Sequence, residues 1–260
     1  MTSTSGTRHT VPAQRRQEIL RAIRGGATHV SQLALSFGVS EMTVRRDLDE
    51  LARDGHIERV RGGAVTVSSE PPFGQTLIER YDEKNAIGAA AAALIEDGQT
   101  VMIDIGTTTL QAARHLHGRT LTVVTSSLAV YEELMPHETI ELILPGGTVR
   151  RNYQSLVGIL AETALRQLKA DVLFLGTSAV DARFDVWDST MVEVPIKRAM
   201  IEAAAEVVLL ADSAKFSMAG LVRVCEAAAI NRLVTDAPLP PAAAAAAERA
   251  GVDVTVTGGA

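Results

Sequence analysis

Residues 40–53 read SEMTVRRDLDELAR, and the spacing of their apolar side chains organises the N-terminal end of the chain. Val44, Leu48 and Leu51 fall at i, i+4 and i+7, which is one stripe of a helix and therefore an expected buried face. Met42, Arg46, Asp49 and Arg53 then point away from it, with Thr43 and Arg45 on the flanks. Ser40 stands where a cap belongs, and Gly55 where the helix must end. A helix that enters the major groove needs small or bidentate polar groups near its N-terminus, to meet base edges and phosphates. Ser40, Thr43, Arg45 and Arg46 are such groups, although the pattern by itself also fits a solvated basic helix in a small bundle.

Two further helices are expected upstream. Ile19, Leu20 and Ile23 make a stripe over residues 15–23 that Gly25-Gly26 interrupts. Ser31 is placed to cap a second helix with Leu33, Ala34 and Phe37 facing inward and Gly38 at its end. Downstream, HIERVRGGAVTV reads as a β-hairpin wing that offers Arg59 and Arg61 to the DNA backbone or the minor groove. The expected organisation is a disordered polar tail over 1–11, a winged helix-turn-helix over 12–67 and a Pro-containing linker over 68–85 that becomes helical near its end. A larger effector-sensing and oligomerisation domain then fills 86–260.

Arg15-x3-Ile19-x3-Ile23, sixteen residues, then Ser40-x2-Thr43-Val44-Arg45-Arg46-Asp47-Leu48 with the wing glycines resembles the N-terminal signature of the DeoR family of bacterial regulators. The resemblance implies a dimer or higher oligomer, such as a tetramer, on repeated DNA half-sites, most often as a repressor. Charge agrees with a DNA-facing end. The net charge is −6, yet residues 1–66 hold ten Arg and no Lys against seven acidic residues. Hydrophobic residues are 47% of the chain, enough for packed interiors, and no apolar run approaches the roughly 18 residues of a membrane span. With the single Cys225 beside the strand VRVC and no apolar signal core, the chain is expected in a reducing cytoplasm, away from membranes.

From Ala86 the pattern becomes helices alternating with short apolar strands: TVMIDI, LTVVT, IELIL, DVLFLG, EVVLLAD, LVT and VDVTV. That alternation predicts an α/β fold with a mostly parallel sheet covered on both faces. Asp104 ends the first strand and is followed by Gly106, Thr107, Thr108 and Thr109 at a helix start. Small hydroxyl residues at a helix N-terminus make a phosphate cradle, although a threonine there is first of all a cap. Thr125-Ser126-Ser127, Pro145-Gly146-Gly147 and Asp212-Ser213-Ala214-Lys215-Phe216 follow other strands, and such loops converge outside the carboxyl ends of a parallel sheet.

This series resembles the DeoR sensor domain, similar in fold to ribose-5-phosphate isomerase, from about Glu83-Lys84 to Asp236. The likeness implies a phosphate loop at Gly106–Thr109 and a glycine loop at Gly146 and Gly147 with Arg150. It also implies effector contacts at Asp181, at Glu193 and Lys197 with Arg198, and at Lys215 in the loop that opens with Asp212. Thr125-Ser126-Ser127 departs from the family's Thr-Asn-Ser, and ARFDVWDSTMVEV lacks its customary glycines and carries Trp187. Both changes bear on which sugar is recognised.

The expected function is a transcriptional regulator whose binding to double-stranded operator DNA answers to a small effector, a phosphorylated sugar. No cofactor, metal ion or catalytic residue is called for. His115 and His117, two apart on a helix, point in opposite directions and make a poor metal pair. The alternatives are a sugar-phosphate isomerase-type enzyme fused to a DNA-binding domain, using Asp181, Glu193 and Lys215, and an architectural DNA-binding protein.

Overall fold

Ile19, Ile23, Val30, Leu33, Val44, Leu48, Leu51 and Ile57 meet in one core at the N-terminal end. They come from α1 (Pro12–Arg24), α2 (Val30–Phe37), α3 (Glu41–Arg53) and the approach to a hairpin, β1 (Glu58–Val60) and β2 (Gly63–Val65). The computed structural model describes residues 12–24, 29–53, 57–60, 63–65 and 71–258, in two units divided after Glu70. The expected tail, the hairpin tip with Arg61, and residues 66–70 lie outside the described residues.

Ser40 caps α3 as expected: its Oγ accepts the Thr43 N–H at 3.1 Å. Gly38 ends α2 in the left-handed conformation, φ 62°, which suits a residue without Cβ. Ser31 does not cap. The helix begins one residue earlier, at Val30, and its N-cap position is His29, without a side-chain cap bond. A bidentate pair joins α1 to α3, with Arg15 Nε and Nη2 at 2.6 and 3.1 Å from the two oxygens of Asp47.

The larger unit is built on seven parallel strands. These are β3 (Thr100–Ile103), β4 (Leu121–Thr125), β5 (Ile140–Ile143), β8 (Ala170–Gly176), β11 (Ala204–Leu210), β13 (Arg232–Thr235) and β14 (Asp253–Val256). They correspond to the seven expected strands, in the order β14-β13-β11-β8-β3-β4-β5. Two-residue periodicity sends alternate side chains to opposite faces. Leu173, Leu175, Val207, Leu209 and Met102 join one core, and Val172, Phe174, Val208, Leu210 and Ile103 the other. The first face is covered by α8 (Ile159–Leu165), α9 (Val194–Ala203) and α10 (Pro241–Ala250), and the second by α5 (Tyr81–Ala92), α6 (Thr107–Arg114) and α7 (Leu128–Leu134). The chain builds outward from β3 to β5 and then returns to the other side of β3, so the order reverses between β3 and β8. Two smaller pieces decorate the strand ends: the hairpin β6 (Thr148–Arg150) and β7 (Ser155–Val157), and a sheet of β9 (Ala179–Val180), β10 (Val186–Asp188) and β12 (Val222–Cys225).

Within the stretch expected as a linker at 68–85, helix begins earlier than near its end. Pro71-Pro72 does not mark a free connection: Pro72 is the N-cap of α4 (Phe73–Ile78), and α5 starts at Tyr81. Phe73 is buried, meets the Tyr153 ring edge-on at 5.5 Å and belongs to the second core, so burial of one aromatic docks this stretch on the larger unit. No helix among the described residues is long and apolar enough to cross a membrane.

Helices α5 and α6 approach closely because Gly88 faces α6: a Cβ there would stand 2.6 Å from the backbone carbon of Gln111. Gly88→Ala is therefore expected to destabilise the protein by about 1–3 kcal/mol, as forced overpacking does. Urea unfolding measures this, and a variant as stable as the wild type contradicts the close approach.

Candidate effector site and DNA-reading helix

Helix α3 divides as its sequence periodicity demands. Val44, Asp47, Leu48 and Leu51 are buried, while Met42, Arg45 and Arg46 are exposed, Met42 by 68%. Ser40 and Thr43 are engaged with each other, their hydroxyls 2.9 Å apart, and Arg45 Nη2 lies 3.1 Å from Glu41 Oε2 one turn away. Arg59 lies on β1 by its backbone. The resulting surface is a capped helix start carrying hydroxyls, a methionine and two guanidinium groups, which matches the donors and apolar contacts that base edges accept.

The second site forms where the strand order reverses, the place at which parallel sheets leave a crevice. Asp104 directly follows β3 and is fully buried. Its Oδ2 accepts the N–H of Gly176, the last residue of β8, at 3.0 Å and also the ammonium of Lys197 from α9. Gly176 has to be glycine, since a Cβ would fall 2.7 Å from the carbonyl oxygen of Ile105. Lys197 Nζ donates further to the Gly176 carbonyl at 3.0 Å and faces Asp188 Oδ2 at 3.6 Å. One helical turn before Lys197, Glu193 Oε1 accepts from Arg150 Nη1 at 2.8 Å and from Ser155 Oγ at 2.7 Å.

Three carboxylates thus surround two cations. In each of Asp104 and Glu193, one oxygen is tied and the other has no protein partner: Asp104 Oδ1 and Glu193 Oε2 are buried and unpaired. Ser126 Oγ is unpaired in the same way, and the Ser126 carbonyl bonds the Leu156 N–H beside Ser155. Buried polar atoms are normally satisfied, so these three can take a polar partner that the protein itself does not supply. Gly106, φ 138°, precedes α6, whose first residues Thr107, Thr108 and Thr109 are all buried. Their N–H groups open the helix and have no intrahelical acceptor, an arrangement that favours an anion.

Other expected contacts are occupied by the fold. Thr125 Oγ1 donates to the Ile103 carbonyl and accepts from the Ser127 N–H, and Ser127 Oγ caps α7. Thr109 Oγ1 donates to the Gly106 carbonyl. Gly147 lets β6 pass β7, a Cβ there meeting the Val157 carbonyl oxygen at 2.9 Å, while Gly146 is exposed. Asp181 does not reach the cluster with a free oxygen. Its Oδ1 accepts two N–H groups of its own loop, from Arg183 and Asp185, and its Oδ2 accepts Trp187 Nε1 at 3.1 Å. Lys215 is half-buried on the turn Ser213–Ser217, which Asp212 caps through the Ala214 N–H.

Asp188, Ser155 and Lys84 belong to this end of the sheet and were missed by sequence reading. Asp188 sits in the segment that departs from the family pattern, and Ser155 lies on a three-residue strand too short to show alternation. Lys84 is buried on α5, with Nζ 2.6 Å from the Thr76 carbonyl oxygen. Burial holds it below the usual lysine range; Asp212 opposes that shift and Lys215 adds to it. His115 bonds Asn85 and His117 stacks on His137, and no metal-holding cluster occurs among the described residues.

The chain matches the DeoR-like helix-turn-helix domain over residues 15–70 and the DeoR C terminal sensor domain over residues 79–237. It is 32% identical to the putative aga operon transcriptional repressor of Escherichia coli, over 99% of this chain and 98% of that protein. It is 36% identical to the HTH-type transcriptional regulator GlpR of Haloferax volcanii, over 94% of this chain and 97% of that protein. Among solved structures, ribose 5-phosphate isomerase A from Methanocaldococcus jannaschii is similar over 53% of this chain and 55% of that one, with 18% identity and a TM-score of 0.40.

Burial pushes the Asp104 carboxyl up to about 6, against the pull of Lys197 and the Gly176 N–H. Burial also draws Lys197 down, but Asp104, Asp188 and Glu193 outweigh it and hold the ammonium above its ordinary range. A folded value above the unfolded one means that Asp104 takes up a proton on folding between 3.8 and about 6. The stability it contributes is present below that window and lost as pH rises through it. Denaturation across the window is therefore expected to show a downward contribution in the wild type that Asp104→Asn removes, and an unchanged pH slope in that variant counters the assignment.

Proposed function

Because the chain belongs to the DeoR family of DNA-binding transcriptional regulators, we propose that it is a repressor whose hold on operator DNA is set by a phosphorylated sugar. The observation that carries the effector half is the trio of buried, unpaired atoms, Asp104 Oδ1, Glu193 Oε2 and Ser126 Oγ, in the unit that carries the α6 N-terminus. Two fixed carboxylate oxygens accept hydroxyl hydrogens, and the helix start accepts a dianion that those same carboxylates would repel. A sugar phosphate supplies both ends. Ser126 stands where the family pattern has an amide, so one donor–acceptor group is replaced by a smaller hydroxyl at the sugar-recognising end.

On DNA, Arg45 and Arg46 read base edges or phosphates, Met42 offers apolar contact, Ser40 and Thr43 order the helix start, and the wing with Arg59 and Arg61 holds the backbone. The protein works in the cytoplasm as a dimer or tetramer, and the effector shifts the balance between two arrangements of the assembly. Its site is read as one for binding. Of the groups offered for isomerase chemistry, Asp181 is consumed by its own loop, Glu193 and Lys215 serve equally well to bond sugar hydroxyls, and a shared fold does not transfer a reaction.

Two measurements test the proposal. In a thermal-shift screen, sugar phosphates are expected to raise the melting temperature well beyond the matching free sugars, by mass action. Thr108→Glu is expected to abolish that shift while operator binding survives, and equal shifts from phosphorylated and free sugars defeat the phosphate reading. Operator DNA selected from a random pool by the full-length protein serves the second. Arg46→Ala is expected to cost roughly 1–3 kcal/mol of specific affinity if the side chain bonds a base. Full affinity in both Arg45→Ala and Arg46→Ala rejects α3 as the reading helix.

A further inference from the structure

Arg80 occupies the joint between α4 and α5 and is one of the few non-glycine residues with a left-handed backbone, φ 51° and ψ 43°. Such a conformation is unfavourable for a residue with a Cβ and persists where the surroundings over-determine it. The surroundings here are two carboxylates at neighbouring strand ends. Arg80 Nη2 donates to Asp236 Oδ2, after β13, at 2.6 Å and to Ser213 Oγ at 3.0 Å, while its Nε faces Asp212 Oδ1, after β11, at 3.2 Å as a charge contact without a hydrogen bond.

Those carboxylates have a second task. Asp212 Oδ1 also accepts the Ala214 N–H, and Asp236 Oδ1 accepts the Ser213 N–H at 2.6 Å. Together they shape the turn Ser213–Ser217 that carries Lys215. One turn along α5 from Arg80, the buried Lys84 bonds the Thr76 carbonyl of α4 and is sensitive to the charges of Asp212 and Lys215. The α4–α5 joint and the Lys215 turn therefore share one set of bonds. Helix α4 begins three residues after the last residue of the DNA-binding unit, Glu70.

We propose that Arg80 is a positioning residue for regulation: through Asp212 and Asp236 it ties the Lys215 turn to the α4–α5 joint, so that effector binding is transmitted toward the segment leading into the DNA-binding unit. The proposal rests on the effector reading above. Arg80 does not itself bind effector or DNA. It converts occupancy at the strand ends into a preferred setting of the joint, and without its fork the two ends of that path move independently.

The test uses the full chain, operator DNA from the in vitro selection, and ribose 5-phosphate, glucose 6-phosphate and fructose 1-phosphate as probes beside their free sugars. Arg80→Lys keeps the charge but not the fork, and Arg80→Gly relaxes the backbone while removing the side chain. Two quantities are read for each: the melting-temperature shift with probe, and the ratio of operator affinity without and with probe. For the wild type that ratio is expected on the order of 5–150-fold. In both variants it is expected to fall below about twofold, while operator affinity without probe and the probe-induced melting shift persist. An undiminished ratio in either variant overturns the proposal, as does a loss of the melting shift in step with the ratio, which makes Arg80 a mere support of the binding site. A wild type that none of the phosphates stabilises overturns the effector reading and the proposal together, and this outcome is distinct because it needs no variant.

Discussion

A single buried ammonium holds the functional end of the larger unit together. Lys197 reaches from α9 to Asp104 at the end of β3, to the Gly176 carbonyl at the end of β8, and to Asp188 on the accessory sheet. Removing such charges from water is expensive, and stripping one partner from a buried pair typically costs about 3–5 kcal/mol. The expense is offset only with all three partners in place, so the ammonium fixes three separate elements at once. It also uses one oxygen of Asp104 and leaves the other without a protein partner. Glu193 is treated in the same manner by Arg150 and Ser155. In both carboxylates one oxygen is rigidly anchored while its twin has no protein partner.

This arrangement gives the two ends of the crevice different electrostatic character. Carboxylates outnumber cations around Lys197, which disfavours a phosphate there. The α6 N-terminus has no acidic residue in its first turn. Under the proposed function, a sugar phosphate is oriented by repulsion as well as attraction, with its hydroxyl groups toward Asp104 and its phosphate away from it.

Most of the architecture was legible in the sequence because it follows from periodicity. The stripe Val44, Leu48, Leu51 and the seven apolar strand runs each carry a repeating signal long enough to read. What escaped reading lacks such a signal. Strands β6, β7, β9 and β10 are two or three residues long, and Ser155 and Asp188 on them gained their roles from long-range contacts alone. Phe73 looked like part of a linker because two prolines precede it, whereas its partner Tyr153 is far along the chain. In the site, sequence motifs located the loops but not the division of labour within them. Thr125 and Ser127 spend their oxygens on the backbone and Asp181 on its own loop and Trp187, whereas Ser126 between the first two is left unpaired. That distinction depends on which hydrogen bonds close, and no residue type announces it.

The bidentate Arg15–Asp47 pair has a consequence for how such proteins diversify. It anchors α3 from its inner side, together with Val44, Leu48 and Leu51, and the Ser40 cap sets the helix start. The outward residues at 42, 45 and 46 contribute nothing to that anchoring. Under the proposed reading of α3, substitutions there alter the operator being read without taxing the fold, so duplicated copies of the gene can move to new promoters at little cost in stability. The larger unit has cores of its own, and Ser126 can change without disturbing the anchoring of Asp104. Under the proposed function, genes controlled and metabolite sensed are in this way separately inherited traits, free to be recombined by evolution one at a time.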